Sequence, residues 1–277
     1  MTSKRIWQPW VVTASAVVMV IGTLAGFGVL GTRVEESSGG AFAANATLLT
    51  PATRAFSVWS LIYLGLLGYV IWQWRAASRP RADRIAVPAA ASMLLNALWL
   101  GVTQIGWLWP SVVVILTLAL VLGVLVRRLA ETRPESRLEA VVVDGTFGVY
   151  LGWVSVASVA NITAVLVDAG IDPGAPWAEL LAVVVLAVAA LLGVGYAVRL
   201  GGRWAIAAAM AWALAWIAVG RLAGPLYSTV TAVAAILAAM AILVATAFLR
   251  SAPVRRAAFV RRADPAPSHE RSGAGRG

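Results

Sequence analysis

Residues 110–128 of the chain read PSVVVILTLALVLGVLVRR, and this stretch decides the fold. Positions 112–126 contain a single polar residue, Thr117, and no charge, and two arginines, Arg127 and Arg128, follow them. An α-helix rises about 1.5 Å per residue, so roughly 20 such residues cross the hydrocarbon layer of a bilayer. The stretch therefore predicts a membrane-spanning helix whose arginine end lies in the cytoplasm.

Further stretches of the same kind predict an all-α, polytopic transmembrane helical bundle of about eight spans. The predicted spans are residues 9–31, 56–74, 86–107, 110–129, 141–166, 177–198, 204–220 and 226–249. These runs lack the strict alternation of a membrane β-barrel, and lipid requires backbone hydrogen bonds to close within each segment. We interpret the first run as an uncleaved span, because it is too long for the apolar part of a signal peptide.

The composition agrees with a membrane protein and excludes several kinds of site. The chain is 61% hydrophobic and 12% charged, whereas soluble domains are roughly 45–50% apolar and about 25% charged. It has no cysteine, one histidine (His269, in the C-terminal tail) and one lysine (Lys4). Thiolate metal sites, a histidine-bound haem within the spans and a retinal-type Schiff base are therefore excluded. We expect no cofactor and no bound metal.

No motif for catalysis stands out in the sequence. Asp144, near the cytoplasmic start of the fifth span, is the candidate for a buried carboxylate, and we expect it to meet water or a nearby arginine. A paired acidic motif, a phosphate-binding loop and the glycine-flanked serine of a hydrolase are all missing from the sequence. The sequence thus predicts that the chain is not an enzyme.

The basic residues predict the orientation of the bundle. With the N-terminus inside, 19 of the 22 Lys and Arg residues fall on the cytoplasmic side, and only Arg33, Arg54 and Arg221 fall outside. This bias follows the positive-inside rule. We predict a multi-pass protein of the cell membrane with both termini in the cytoplasm. Because the arginines flank the spans, we expect the lipid bilayer as the partner, and no nucleic acid.

Three spans each carry aromatic and amide side chains on one helical face. These residues are Phe56, Trp59 and Tyr63 in the second span, Asn96, Trp99 and Thr103 in the third, and Trp153, Ala157 and Asn161 in the fifth. Amides are costly in hydrocarbon, so we expect Asn96 and Asn161 to bond across helices or to a ligand. Two interpretations stay open: an aromatic-lined cavity of about 300 Å³ or more that opens toward the first external loop, or solid helix packing.

At these residues the chain resembles the tryptophan-rich sensory protein family, also called translocator proteins. Residues 56–63 (FSVWSLIY) resemble the segment of its second helix, with Ser60 in place of the usual threonine. Residues 95–99 (LNALW) resemble the third helix, and residues 150–153 (YLGW) with Ala157 and Asn161 resemble the fifth. The three matches follow in order along the chain, and the resemblance covers roughly residues 7–166.

The resemblance implies a five-helix bundle that binds porphyrins, sterols or synthetic aromatic ligands beneath the loop between the first two helices. Residues 31–55 would then form a lid. The implied ligand-binding residues are Phe56, Trp59, Tyr63, Asn96, Trp99, Trp153, Ala157 and Asn161. The tryptophan-arginine ending usual after the fifth helix is missing, since Asn161 is followed by ITAVL. The organisation implied is a translocator-protein-like core at 1–167, three additional spans at 168–250 and a disordered, basic cytoplasmic tail at 251–277.

The three additional spans are rich in small apolar residues. A row of alanines that recurs every four residues predicts close helix approach: Ala207, Ala211 and Ala215. Trp212 and Trp216 share another face, and we expect them to fill a gap in the bundle, the alternative being an extension of the aromatic cavity. We expect Arg221 to extend its side chain to the interface, with a place at the pocket mouth as the alternative.

Three functions are compatible with these patterns. The first is binding of a hydrophobic aromatic molecule, such as a tetrapyrrole, for sensing or transport. The second is a small-solute transporter or permease subunit, and the third is a structural or assembly protein without a ligand. Whether the chain forms a homodimer stays open. The preference for arginine over lysine is typical of a GC-rich bacterium.

Overall fold

Eight long apolar helices form the computed structural model of the chain, which describes residues 7–26, 28–29, 31–76, 79–174 and 176–251. The helices are α1 (Trp7–Gly26), α2 (Val58–Arg75), α3 (Pro80–Gln104), α4 (Leu108–Ala130), α5 (Arg137–Asp168), α6 (Trp177–Leu200), α7 (Trp204–Ala223) and α8 (Thr229–Ser251). The described residues contain no β-strand. The predicted all-α fold of about eight spans is confirmed. The predicted orientation stays a prediction, and the predicted tail at 251–277 lies outside the described residues except for Ser251, which ends α8.

Several helix ends differ from the predicted spans. The helix α1 ends at Gly26 and not at residue 31, and Gly28 just beyond it has a left-handed φ of 78°. The helix α3 begins six residues earlier than predicted, at Pro80, because proline suits the first position of a helix. The helix α5 begins at Arg137, where the Ser136 hydroxyl accepts a hydrogen bond of 3.1 Å from the backbone N–H of Glu139.

The helices form two parts that are connected by α5. In the N-terminal part, α3 packs between α1 and α4, α4 packs on α5, and α2 lies against α1 and α5. In the C-terminal part, α7 packs on α5, α8 packs on α7, and α6 packs on α8. The additional helices therefore share an extensive contact with the helix that carries Trp153 and Asn161.

Glycines allow α5 and α7 to approach closely. A Cβ atom on Gly152 would lie 2.5 Å from the backbone oxygen of Ile206, and one on Gly148 would lie 2.7 Å from the Cβ of Ala205. The alanine row at 207, 211 and 215 is therefore not the closest contact of α7: Ala207 is buried, but Ala215 is exposed. The small-residue face that matters lies on α5, where Gly148 and Gly152 are four residues apart.

A network of buried charges ties three helices together at the arginine-rich end of the bundle. Arg81 of α3 forms ion pairs with Glu139 and with Asp144 of α5, the latter at 2.7 Å. Asp144 also pairs with Arg203, the residue directly before α7, at 2.6 Å. The expectation that Asp144 meets an arginine is confirmed. Asp144 lies in a π-helical turn, Ala140–Gly145, and such turns are frequent at functional sites.

Candidate functional site

The eight residues singled out in the sequence fall into two neighbouring groups. Those that line one small cavity are Phe56, Trp99, Trp153, Ala157 and Asn161. The other three, Trp59, Tyr63 and Asn96, lie beside this cavity and do not line it. The ring contact of Trp59 with Trp153 connects the two groups.

The aromatic rings of α2, of the 3₁₀ turn Thr53–Ser57 directly before it and of α5 form a continuous cluster. The Trp59 ring stacks on Tyr63 with a centroid distance of 5.4 Å and meets Trp153 edge to face at 6.1 Å. Phe56 meets the same Trp153 ring edge to face at 5.7 Å. Each such pair adds about 0.5–1.5 kcal/mol beyond the burial of its surface. Trp153 is thus the centre of the cluster, and it is buried on all sides.

Both asparagines bond to partners on other helices, which confirms one of the two expectations for them. The Asn96 amide donates to the Tyr63 hydroxyl at 3.1 Å and so joins α3 to α2. The Trp99 indole N–H donates to the Asn161 oxygen at 2.9 Å. The Asn161 amide in turn donates to the Ser111 hydroxyl at 2.9 Å. These bonds fix the relative positions of α2, α3, α4 and α5 around the site.

One polar group at the cavity has no hydrogen-bond partner among the described residues. It is the indole N–H of Trp153, whose side chain is 1% exposed. A buried donor without a partner costs about 1–3 kcal/mol. A guest that brings an acceptor atom to this N–H would recover that free energy, so the group is a natural anchor for a ligand.

The cavity itself is smaller than expected from the sequence. Its volume is about 30 Å³, so the expected cavity of about 300 Å³ is wrong for this closed structure. The physical reason is the lid, which supplies Val34, Phe42, Thr50 and Pro51 to the cavity wall. The Phe42 ring is buried and lies 6.0 Å from the Trp99 ring. The lid therefore occupies much of the space between α3 and α5.

A larger crevice lies next to the cavity, between the end of α1, the lid and the start of α2. Its volume is about 210 Å³, and it is lined by Gly26, Arg33, Val34, Glu35, Phe56, Ser57, Trp59 and Ser60. Val34 and Phe56 line both spaces. These two side chains therefore separate the crevice from the inner cavity.

The lid is fastened to the end of α3 by hydrogen bonds. The Ser38 hydroxyl donates to the backbone oxygen of Thr103 at 2.8 Å. The Gln104 side chain accepts from the N–H of Thr32 at 3.1 Å and donates to the backbone oxygen of the same residue at 2.8 Å. The first part of the lid is thus held to the helix that carries Trp99.

The end of the lid is fastened to α7. The Trp212 indole donates to the backbone oxygen of Ala55 at 3.1 Å, and the Ala52 N–H donates to the backbone oxygen of Trp216 at 3.1 Å. The two tryptophans meet edge to face at 5.6 Å. Neither of them lines the aromatic cavity. They pack beside it and hold the approach to α2 in place.

Arg221, near the end of α7, fastens the middle of the lid. Its guanidinium donates to the backbone oxygens of Thr47 at 3.0 Å and Ala44 at 2.7 Å. The side chain is fully buried, so the expectation that it extends to the interface is wrong. The reason is that two of its nitrogens donate to lid carbonyls inside the protein, whereas Nε has no hydrogen-bond partner among the described residues.

Some residues of the site could not be found from helical periodicity. Phe42 is the only aromatic residue between positions 31 and 55, but it lies in a segment without a repeat. Ser111 bonds Asn161 from the first turn of α4. Ala213 lines the cavity from α7, a helix without a counterpart in the motifs of the resemblance. The only sequence signal for Ser111 is a polar residue at the start of an apolar run.

The chemistry of the site is limited to non-covalent contacts. The cavity is lined by rings, small apolar side chains, one threonine and one amide, and by no ionisable side chain. In the part of the chain that the structure describes, no three His, Cys, Asp or Glu side chains could hold a metal ion together. Such a wall suits a flat apolar molecule with few polar atoms.

Comparison with known proteins gives one family. The family model described as TSPO-like protein matches residues 8–248. This match includes α6, α7 and α8, which the resemblance at residues 7–166 left without a counterpart. No curated protein and no solved structure matches the chain. The match extends over most of the chain and all eight helices, and the chain therefore belongs to the TSPO-like protein family.

Proposed function

We propose that this membrane protein binds a hydrophobic aromatic molecule of the tetrapyrrole class beneath the lid, in a sensing or transport role. The main support is the convergence of Phe56, Trp99 and Trp153 on one cavity, together with the unpartnered indole N–H of Trp153. The rings offer stacking surfaces, and the N–H offers one directional contact to an acceptor atom. Membership of the TSPO-like family is consistent with this proposal.

Ligand entry requires the lid to open. A cavity of about 30 Å³ is far below the roughly 300–1,000 Å³ typical of small-molecule sites. The crevice of about 210 Å³ is the nearest larger space, and only Val34 and Phe56 lie on both walls. A shift of the lid that carries Val34 away and lets the Phe56 ring turn would join the two spaces. Loop closure over a ligand is a common way to shield a site from water.

The arginine-rich end of the bundle favours access from the lid end. The pairs of Arg81 with Glu139 and Asp144, and of Arg203 with Asp144, connect α3, α5 and α7 there. A through-path for a solute would have to break buried ion pairs, which is costly. On the predicted topology, the ligand would enter from outside the cell. We also propose that the chain is not an enzyme, because no acid-base pair faces the cavity.

A structural role without a ligand is the second candidate. The small volume of the cavity favours it, because the rings and amides already satisfy most of one another's contacts. In this case the aromatic cluster would serve only to join α2, α3 and α5. The two candidates differ in one measurable property, which is saturable binding of an aromatic macrocycle.

Titration of the purified full chain with protoporphyrin, followed by the shift of the porphyrin absorption band, tests the proposal. Trp153→Phe keeps an aromatic ring but removes the N–H, and we expect it to weaken binding roughly fivefold, the effect of about one hydrogen bond. Trp109→Phe is the matched control, because Trp109 is 59% exposed on α4 and does not line the cavity. Non-saturable binding would favour the structural role, and equal saturable affinity of the two variants would refute the N–H of Trp153 as the anchor of the ligand.

A further inference from the structure

A second cavity lies between the lid and α6 and is much larger than the aromatic one. Its volume is about 540 Å³, which falls within the roughly 300–1,000 Å³ of small-molecule sites. Its walls come from lid residues 46–49, the end of α5, the loop at 171–174, the first two turns of α6 and residues 226–227. The two cavities share no lining residue, so this space is not an extension of the site beneath the lid.

Most of its wall is apolar. Leu166 and Val167 contribute from α5, and Leu181 and Val185 contribute from α6. The rim is open on one side, where Ile171, Leu181 and Tyr227 are each more than half exposed. An open-sided apolar space of this kind fits an alkyl tail, which gains about 0.8 kcal/mol for each buried CH₂ group.

Two carboxylates are the charged groups of this wall. Glu179 accepts a hydrogen bond from the Ser228 hydroxyl, which itself accepts from the Thr231 N–H at 3.2 Å. Asp172 accepts from the N–H of Gly174 at 3.0 Å. Within the described ranges, neither carboxylate forms an ion pair, and no basic side chain lines the cavity. The cavity therefore combines an apolar wall with two carboxylates that have no ion-pair partner among the described residues.

The position of Glu179 selects against an anionic ligand. It lies in the first turn of α6, where the positive end of the helix dipole favours negative charge. Because its own carboxylate already occupies this position, an anionic head group would be repelled there. Trp177 and Tyr227 are exposed, and such residues are typical of the membrane–water interface. On the predicted topology the carboxylates would therefore lie at the level of lipid head groups, with Val185 deeper along α6.

We propose that this cavity binds an amphiphile with an apolar tail and an ammonium head group, independently of the site beneath the lid. The tail lies along the apolar wall formed by α5 and α6. The ammonium group lies near Glu179 and Asp172, which neutralise it. Two sources carry this chemistry: a membrane lipid with an amine head group, and a free alkylamine.

Native mass spectrometry of the full chain in detergent tests the proposal with dodecylamine and dodecyl sulfate, which share a tail and differ in the sign of the head group. We expect one saturable dodecylamine adduct and a preference of about tenfold over dodecyl sulfate, the effect of one partly buried ion pair. The double variant Glu179→Gln/Asp172→Asn should lose this preference and keep the tail contact. Glu131→Gln, at the other end of the bundle, should keep the preference.

Two further measurements distinguish the contribution of the tail from that of the head group, and a membrane lipid from a free amine. Ala178→Leu fills part of the cavity, and it should weaken both amphiphiles equally. Retention of phosphatidylethanolamine over phosphatidylglycerol would identify a lipid as the source, and dodecylamine binding without lipid retention would identify a free amine.

The ratio of bound dodecylamine to bound dodecyl sulfate is measured within each variant, so partial unfolding does not alter it. Equal binding of both amphiphiles by the unmodified chain, or an unchanged ratio in the double variant, would overturn the proposal. Trp153→Phe should leave this ratio unchanged.

Discussion

Replacing Arg221 with methionine tests whether α7 holds the lid closed. The guanidinium donates to the backbone oxygens of Thr47 at 3.0 Å and Ala44 at 2.7 Å, and its side chain is fully buried. A buried carbonyl that loses its partner costs about 1–3 kcal/mol, and relief of the buried charge offsets part of this cost. We expect the closed lid to lose about 2 kcal/mol, which corresponds to roughly a 30-fold rise in the open population.

Cysteine labelling measures this opening directly. The chain has no cysteine, so Leu49→Cys introduces a single reporter at a lid position that is 2% exposed. Combined with Arg221→Met, this reporter should react with a water-soluble maleimide roughly 30 times faster. Arg54→Met is the matched control, because it removes the same charge from an exposed position in the same lid. Equal labelling rates in the two combinations would refute the role of Arg221.

Two stability predictions follow from the helix contacts. Gly152→Ala should destabilise the bundle by about 1–3 kcal/mol, because the added Cβ would lie 2.5 Å from the Ile206 oxygen. The control Gly123→Ala should be neutral or slightly stabilising, because its added Cβ would have no atom within 4 Å. Asp144→Asn should lower the free energy of unfolding by about 2 kcal/mol, because it leaves Arg81 and Arg203 without their shared partner. The control Glu131→Gln should lower it by at most about 1 kcal/mol, because the side chain of Glu131 is 52% exposed in its ion pair. The thermal unfolding midpoint in detergent is measured for all four variants. A larger fall of the midpoint in either control than in its test variant would contradict the importance of Gly152 or of Asp144 for packing.

The eight spans could be predicted because each one contains its own signal, an apolar run of bilayer length. Their ends could not, because they depend on contacts with distant residues. Arg81 shows the difference: it reads as a loop charge in the sequence, yet it lies within α3 and pairs with Glu139 and Asp144. Helix α3 can extend into the arginine-rich segment because these carboxylates, located on α5, compensate the charge.

The candidate site was predictable where it depends on one helix at a time. Phe56, Trp99 and Asn161 each follow the periodicity of their own helix, and the structure brings them to one cavity. The volume of that cavity depends on the lid, whose Phe42 follows no periodicity. The partners of Arg221 are backbone oxygens 174 and 177 positions away in the sequence. Backbone acceptors have no residue-type signature, so nothing in the sequence distinguished this arginine from one at the interface.

The three C-terminal helices belong to the site because the lid rests on them. Lid residues 46–49 form a wall of the larger cavity, and Thr50 and Pro51, directly after them, line the aromatic one. Arg221 of α7 holds this part of the lid through hydrogen bonds to the backbone oxygens of Ala44 and Thr47. A molecule in the larger cavity would contact this segment at residues 46–49, and one in the aromatic cavity would contact it at Thr50 and Pro51. A chain that ended after α5 would lose this support and expose the glycine face of that helix, so that only the bonds of Thr32 and Ser38 to the end of α3 would still hold the lid.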